Sequence, residues 1–272
     1  MEKYLPSYAY SPWKAGRGQK EQEELLRIEE IRIPDGIEEL GNYTFYGCRN
    51  LRRLFITDSL KTIGGGSFTG CGALRELHVL ADEENPTCIR DVVSETFHEV
   101  YVYLTFRGKG KKARLVFPEY YEEGVENTPA RILETHFHGS GYKYRQCFTD
   151  KKVDFQRYDK LFSTALVYEK PEILLPMAIG RLLWPYQLTR ERAAVYKAYI
   201  KDNLQLCGKF YLGKEEQNQV LTYLGEAGLW TREDLDEVLS QASQRGQIEA
   251  VSLLMEEKRK YFPQRPVKDF QL

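Results

Sequence analysis

The sequence has little of several features that would classify it at once. Its 272 residues include five cysteines, three methionines and three tryptophans, and the formal net charge is −1 at pH 7. An odd number of scattered cysteines does not fit a closed disulfide framework and favours reduced thiols. The near balance of charges gives no overall basic surface, so nucleic acid is an unlikely partner.

Long apolar segments are also missing. No run of about 18 apolar residues could cross a bilayer, and we therefore expect no membrane partner. Residues 1–8 contain no apolar run of the kind that a signal peptide has. Together with the thiols, these absences predict a cytoplasmic protein, whose length suits two domains or more.

What the sequence does contain is an internal repeat. Residues 33–55 align without a gap with residues 56–78, and the period of 23 residues lies in the leucine-rich-repeat range. The nine identical positions are Ile33/Ile56, Asp35/Asp58, Gly41/Gly64, Phe45/Phe68, Gly47/Gly70, Cys48/Cys71, Leu51/Leu74, Arg52/Arg75 and Leu54/Leu77. A period of this kind predicts a stacked solenoid.

The repeat predicts which residues stack. Each copy carries a spaced apolar pattern, Leu51, Leu54 and Ile56 in the first, that is typical of a short strand with inward-facing side chains. We expect parallel strands about 4.8 Å apart, with Phe45 over Phe68 and Cys48 beside Cys71 in a buried column of poorly reactive thiols. An earlier strand is predicted at residues 28–33, preceded by a capping helix at residues 18–27.

The residues of the first copy resemble a known family. The matching positions are Ile33-Pro34, Leu40-Gly41, Phe45-Tyr46-Gly47-Cys48 and Leu51. They are similar to the bacterial surface-protein type of leucine-rich repeat, the BspA-like family, over residues 26–80, although Thr57 replaces the proline in the second copy. The resemblance implies a solenoid used for protein–protein interaction. Many such proteins are secreted, and the missing signal-like run disfavours an adhesin role.

The middle of the chain is predicted to be rich in strands. Residues 100–106 and 113–117 have the β-branched and aromatic content of a hairpin around the turn at 107–112. Two further β-rich segments, 131–138 and 142–148, flank Gly139-Ser140-Gly141. Glu122, Glu123 and Glu126 are interpreted as a solvated helix start.

The C-terminal part changes to a helical pattern. Helix candidates separated by Pro and Gly follow one another from about residue 154. Residues 239–254 resemble an ankyrin helix pair, with Ala242, Val251 and Leu254 expected in the core, although the ankyrin hairpin consensus is missing. The predicted domains are 1–117, a solenoid with a terminal hairpin; 118–153, a β-rich connector; and 154–272, an α-helical ankyrin-like array.

Two segments could carry chemistry. His136 and His138 are two residues apart, so on a strand both imidazoles face one side and could reach a metal ion, given a further ligand such as Glu134, His98 or Cys147. The alternative is an ordinary packed or exposed strand. The basic turn at 107–112 could bind phosphates, but it lacks the context of a P-loop and is equally a solvated turn.

The candidate binding surface is the strand face of the solenoid. Side chains alternate along a strand, so neighbours of the inward Ile31, Leu54 and Leu77 must point outward. This predicts two outward columns: Glu30, Arg53 and Glu76 in the first, and Arg32, Phe55 and His78 in the second. The alternative is that residues 83–99 or the C-terminal domain cover this face.

These patterns predict an α+β chain without a cofactor, made of a short leucine-rich-repeat solenoid, a β-rich connector and an all-α array. Repeat surfaces of both kinds are used mostly for protein recognition. The function predicted is therefore a non-catalytic scaffold or adaptor for an unknown protein partner. The alternative is a metal-dependent enzyme or metal-binding module that uses His136 and His138 in an interdomain cleft.

Overall fold

The computed structural model describes residues 4–5, 27–108, 110–127 and 132–263. All but the last residue of the capping helix predicted at 18–27 lies outside them. The chain divides into two compact units, Met1–Arg192 and Ala193–Leu272. The strands are β1 Tyr4–Leu5, β2 Glu30–Arg32, β3 Glu39–Leu40, β4 Arg53–Thr57, β5 Thr62–Ile63, β6 Glu76–Ala81, β7 Val100–Phe106, β8 Lys112–Phe117, β9 Tyr121–Asn127, β10 Ile132–His138, β11 Phe148–Thr149 and β12 Lys152–Val153.

The described helices are listed in chain order in this sentence: α1 Ile89–Ser94, α2 Gly141–Tyr144, α3 Phe155–Lys160, α4 Phe162–Tyr168, α5 Pro171–Leu183, α6 Arg190–Asp202, α7 Leu204–Tyr211, α8 Gln217–Glu226, α9 Arg232–Gln244 and α10 Ile248–Tyr261. The chain is therefore α+β, with strands in its first half and helices in its second.

Two walls of stacked strands form the solenoid. One sheet has the order β2-β4-β6-β7-β8, with β2, β4, β6 and β7 parallel and β8 antiparallel to β7. The other sheet, β1-β3-β5, is parallel throughout. Leu54 is in register with Leu77 one coil later, as the 23-residue period predicts. The parallel solenoid is confirmed.

The interior of the coils is a set of repeated apolar columns. Leu40, Leu54 and Leu77 have no exposed surface, and Phe68 is 2% exposed. The rings of Phe45 and Phe68 lie over each other with centroids 5.8 Å apart, which confirms the predicted aromatic stack. Gly70 has a φ of +84°, and a Cβ there would lie 3.3 Å from Cα of Gly47, so the repeated corner requires glycine.

The coil after β6 is longer than the two exact ones. His78 on β6 is in register with Tyr103 on β7, 25 residues on, and the extra length includes helix α1. The Glu95 carboxylate after α1 accepts hydrogen bonds from the main-chain N–H groups of Gly66 and Phe68, both at 2.8 Å. The predicted hairpin of β7 and β8 is confirmed, and it belongs to the same sheet as the repeats.

Helices α3 to α5 close the β8 end of this sheet. The Tyr158 hydroxyl on α3 accepts a hydrogen bond from the Val116 N–H and donates one to the Val116 carbonyl, both at 2.8 Å. The edge strand is thereby capped without a further strand. Behind it, Arg181 and Asp159 form a fully buried two-point ion pair at 2.8 and 2.9 Å.

The middle segment differs in part from its prediction. Glu122, Glu123 and Glu126 lie on β9, which pairs with β10 in an antiparallel hairpin, so the helix start predicted there is wrong. Continuous alternation of side chains outweighed the run of glutamates. Most of the segment 142–148, expected to be extended, is the short helix α2 and the turn after it, and only its last residue enters β11.

The second unit, as far as residue 263, is helical throughout. Its helices form two hairpins, in which α7 contacts α9 and α8 contacts α10. Gly208 on α7 permits a close crossing, because a Cβ there would lie 2.7 Å from Val238 on α9. Ala242 and Leu254 are buried as predicted, whereas Val251 is only half-buried. The ankyrin-like assignment and the three domain boundaries stay predictions.

Candidate functional site: the strand face of the solenoid

The two outward columns predicted from the repeat lie where the period places them. Glu30, Arg53 and Glu76 are in register across β2, β4 and β6. Arg32, Phe55 and His78 are in register two residues further along the same strands. Their inward neighbours Leu54 and Leu77 are fully buried, so both columns lie on the outer side of the sheet.

The first column is a short network of charges. Glu30 accepts from Arg32 Nε at 2.6 Å and from Arg53 Nε at 2.9 Å, and the second of these pairs joins neighbouring strands. Glu76 lies 3.0 Å from His78 Nε2 on its own strand. The Arg32 and Arg53 side chains are 64% and 51% exposed, so each pair contributes about 0–1 kcal/mol. The network orders the surface more than it stabilises the fold.

The second column is a continuous stack of flat groups. The Phe55 and His78 rings have centroids 4.3 Å apart and planes within 12°, and the His78 and Tyr103 rings are 4.6 Å apart and within 7°. The Arg32 guanidinium lies 3.7 Å from the Phe55 centroid. At the other end, the Arg114 guanidinium lies 4.7 Å from the Tyr103 centroid and 3.7 Å from that of Trp184.

We call this row, Arg32, Phe55, His78, Tyr103, Arg114 and Trp184, the stacked ladder. Its spacing follows from the sheet, because neighbouring strands are about 4.8 Å apart and that distance also suits stacked rings. Trp184 enters from the end of α5. Gly180 allows this approach, since a Cβ there would lie 3.2 Å from Cβ of Arg114.

Half of the stacked ladder was not predicted from the sequence. Tyr103 lies on a strand that was foreseen, but the 25-residue spacing hid its register with His78. The alternation of Tyr101, Val102, Tyr103 and Leu104 is the signal that could have placed it. Arg114 and Trp184 come from an antiparallel strand and a helix end, for which the repeat gives no register.

The segment 83–99, which could have covered this face, follows the path of the coil instead. Ile89, Val92 and Val93 of α1 are buried, and Glu95 bonds to the turn at Gly66 and Phe68. Phe55, His78 and Tyr103 remain half-buried and Leu80, one column further along β6, is 40% exposed.

The histidine pair is not gathered into a metal site. His138 Nε2 lies 2.8 Å from Glu123 Oε2, and its ring stacks on Tyr121 at 4.3 Å. His98 Nε2 is instead 2.5 Å from the Leu74 carbonyl, and burial raises the pKa of the Cys147 thiol to about 12. Within the described ranges, no three His, Cys, Asp or Glu side chains are arranged to hold a metal ion.

The basic turn is engaged with carboxylates. Arg107 donates to Asp58 and lies 3.5 Å from Asp35, and Lys111 Nζ is 2.7 Å from Glu83. Asp58 has a lowered pKa: burial acts in the raising direction, but bonds from the Asp82 N–H, Arg107 and Asn85 outweigh it. Lys109 lies outside the described residues. Arg107 and Lys111 thus fix the turn to the coils.

The five cysteines are all buried and free. Desolvation raises the pKa of Cys71 to about 12, and the neighbouring Cys48 adds to the shift. Cys71 also donates a hydrogen bond to the Phe45 carbonyl at 3.2 Å. Burial of the predicted thiol column is confirmed, and its low reactivity stays a prediction.

Comparison with known proteins agrees with the coils. Residues 22–99 match the family model described as BspA type leucine rich repeat region. This part of the chain is a BspA-type repeat region. The match ends at residue 99, just before β7, so the BspA-type region supplies Arg32, Phe55 and His78 of the stacked ladder, and the segment after it supplies Tyr103, Arg114 and Trp184. Neither the curated proteins nor the solved structures compared with the chain gave a match.

The helices were also examined for membrane spans. None in the described part of the chain combines the length and the apolar character needed to cross a bilayer.

Proposed function

We propose that the chain is a protein-interaction scaffold or adaptor, and that it binds its partner through the strand face of the solenoid. The stacked ladder is the observation that carries this proposal. It brings three aromatic side chains, a histidine and two arginines to the outer side of a sheet whose core is already filled from the inner side.

The composition of the ladder is that of an interface. Tyr, Trp and Arg are the residues that dominate binding energy at protein–protein contacts. Stacking also fixes these side chains before a partner arrives, so less conformational entropy is lost on binding. The neighbouring Arg53 and Glu76 offer a polar rim, and the BspA-type repeats belong to a class that serves mostly in protein recognition.

A cytoplasmic location is part of the same proposal. It is supported by the five buried cysteines, none of which forms a disulfide. The alternative of a metal-dependent enzyme gains no support from His136 and His138, because the described residues place no third ligand beside them.

Photocrosslinking tests the proposal directly. The photoreactive amino acid p-benzoylphenylalanine would replace Phe55 in one variant of the full chain and Phe97 in another, and each would be irradiated in extract of the native cell. Phe97 is a matched control because it is 54% exposed and lies off the strand face. We expect the same crosslinked protein from repeated Phe55 experiments and none of it from Phe97. Equal crosslinking at both positions, or none at Phe55, would contradict the proposal.

A further inference from the structure

We infer that the partner binds the stacked ladder as an extended acidic segment, which crosses the strands and carries one carboxylate at each end and apolar side chains between them. This inference rests on the proposed function and specifies the chemistry of the partner. It follows from three properties of the ladder: which ring surfaces remain available, where its cations lie and how far apart they are.

Stacking leaves the edges of the flat groups for a partner. The faces of Phe55 are occupied by Arg32 and His78, and the faces of Tyr103 by His78 and Arg114. An aromatic ring is electronegative on its face and electropositive at its edge. The outer surface of the row is therefore a line of weakly positive C–H and N–H edges, together with the Tyr103 hydroxyl. Such a line attracts carboxylate and carbonyl oxygens and repels cations.

Formal charges reinforce this preference. The outward positions of the five strands include four cations, Arg32, Arg53, Lys112 and Arg114, and two carboxylates, Glu30 and Glu76. Both carboxylates already have partners, Glu30 in the two arginines and Glu76 in His78. The face therefore has a formal excess of two positive charges with His78 neutral, on a chain whose net charge is −1. An acidic partner is the complementary one.

The cations lie at the two ends of the row. Arg32 is on β2, at one side of the described sheet, while Lys112 and Arg114 are on β8 at the other. Four strand spacings of about 4.8 Å separate β2 from β8, which gives roughly 19 Å. An extended chain rises about 3.3 Å per residue, so the two carboxylates should be about six residues apart. The uncharged middle of the row, Phe55 to Tyr103, faces the residues between them.

Fluorescence anisotropy with synthetic peptides tests this inference on the full chain. The probe is a fluorescein-labelled extended peptide of alternating valine and threonine with glutamates about six positions apart. One comparison peptide has lysines at the same two positions, and the other has its glutamates about two positions apart. We expect the widely spaced glutamate peptide to bind at least about tenfold more tightly than the lysine peptide, with an affinity that falls as salt rises.

Charge reversal provides the second arm of the test. In Arg32→Glu/Lys112→Glu the preference should invert, so that the lysine peptide binds more tightly than the glutamate peptide. Arg49→Glu/Arg90→Glu makes the same change of charge at two exposed positions off the strand face and should leave the preference unaltered. Circular dichroism of each variant establishes that it is folded before its binding is compared.

The outcomes separate this inference from the proposed function. Equal binding of glutamate and lysine peptides, binding of neither at roughly millimolar concentration, or no inversion in the reversed variant would overturn the acidic-segment inference. Crosslinking at Phe55 combined with any of these results would leave the strand face as the interface and reject only the acidic chemistry. Tight binding of the closely spaced glutamate peptide would reject the inferred spacing.

Discussion

The two exact coils, residues 33–78, and the longer coil after them are held together in different ways. In the exact coils, equivalent side chains stack on their copies, as Leu54 does on Leu77 and Phe45 on Phe68. In the longer coil and the segments packed against it, buried polar side chains bind main-chain groups. Glu95 accepts two N–H bonds, and His98 bonds to the Leu74 carbonyl.

Arg145 shows the second mode most clearly. It is 4% exposed, and its guanidinium donates to five main-chain carbonyls, those of Val93, Thr96, His98, Pro118 and Gly141. Burial lowers the pKa of this group to about 10. A coil that departs from the period leaves carbonyls out of line with the coil below, and a donor with several N–H groups satisfies them. Periodic packing is thus replaced by hydrogen bonding where the period fails.

The largest effect is expected from the apolar columns of the exact coils. Phe68→Ala removes a buried ring from the stack and should lower the free energy of unfolding by about 3–5 kcal/mol. Urea denaturation measures the difference. Phe97→Ala, at an exposed position, should change stability by less than about 1 kcal/mol. A loss at Phe68 no greater than at Phe97 would mean that the columns do not hold the coils.

The next effect concerns the strand edge beyond the longer coil. Tyr158→Phe keeps the buried ring but leaves the N–H and carbonyl of Val116 without their hydroxyl partner. We expect unfolding free energy to fall by about 2–3 kcal/mol, measured by urea denaturation. Tyr168→Phe, at a 59% exposed tyrosine, is the matched control and should have almost no effect. An unchanged stability for Tyr158→Phe would show that water satisfies the edge equally well.

A pH dependence should distinguish the two kinds of coil. Burial first, then the nearby Arg75 charge, lowers the pKa of His98 from 6.5 to about 4. Between these values the unfolded chain binds the proton and the folded chain does not, so stability falls as pH drops from about 6.5 to about 4. Allowing for partial exposure, the loss from this group is about 1–2 kcal/mol.

Denaturation of His98→Gln as a function of pH checks this assignment. Glutamine can still donate to the Leu74 carbonyl but does not titrate, so the variant should lose less stability than the wild type across the same window. Phe68→Ala should keep the full pH dependence, because the exact coils do not contain the titrating group. The same slope in wild type and His98→Gln would assign the effect to other groups.

The smallest effect on stability is expected on the outer face that both kinds of coil share. From the sequence, Phe55 appears to have no neighbours, and Phe55→Ala is predicted to leave stability nearly unchanged. The structure stacks Phe55 between Arg32 and His78, so a loss of about 1–2 kcal/mol is expected instead. Thermal or urea unfolding measures it. A loss as large as that of Phe68→Ala would make Phe55 part of the fold rather than of the surface.

The limits of sequence-based prediction follow the same boundary. The period assigned Phe55 and His78 to one outward column because a constant spacing fixes the register of every coil that obeys it. It could not extend the column to Tyr103, whose coil is longer. Trp184 depends on how closely α5 approaches Arg114 at Gly180, a tertiary contact that no local pattern encodes. The acidic run on β9 misled in the opposite way, because charge alone does not distinguish a strand from a helix start.

The dissociation constant of the crosslinked partner, measured for wild type, Phe55→Ala and Phe97→Ala, tests the central claim most directly. All three proteins would be studied under conditions in which denaturation shows them to be fully folded. Truncation of a central aromatic anchor should weaken binding by at least about 2 kcal/mol, or roughly thirtyfold, in Phe55→Ala, and Phe97→Ala should match wild type. Equal dissociation constants for all three would contradict the assignment of the strand face as the binding surface.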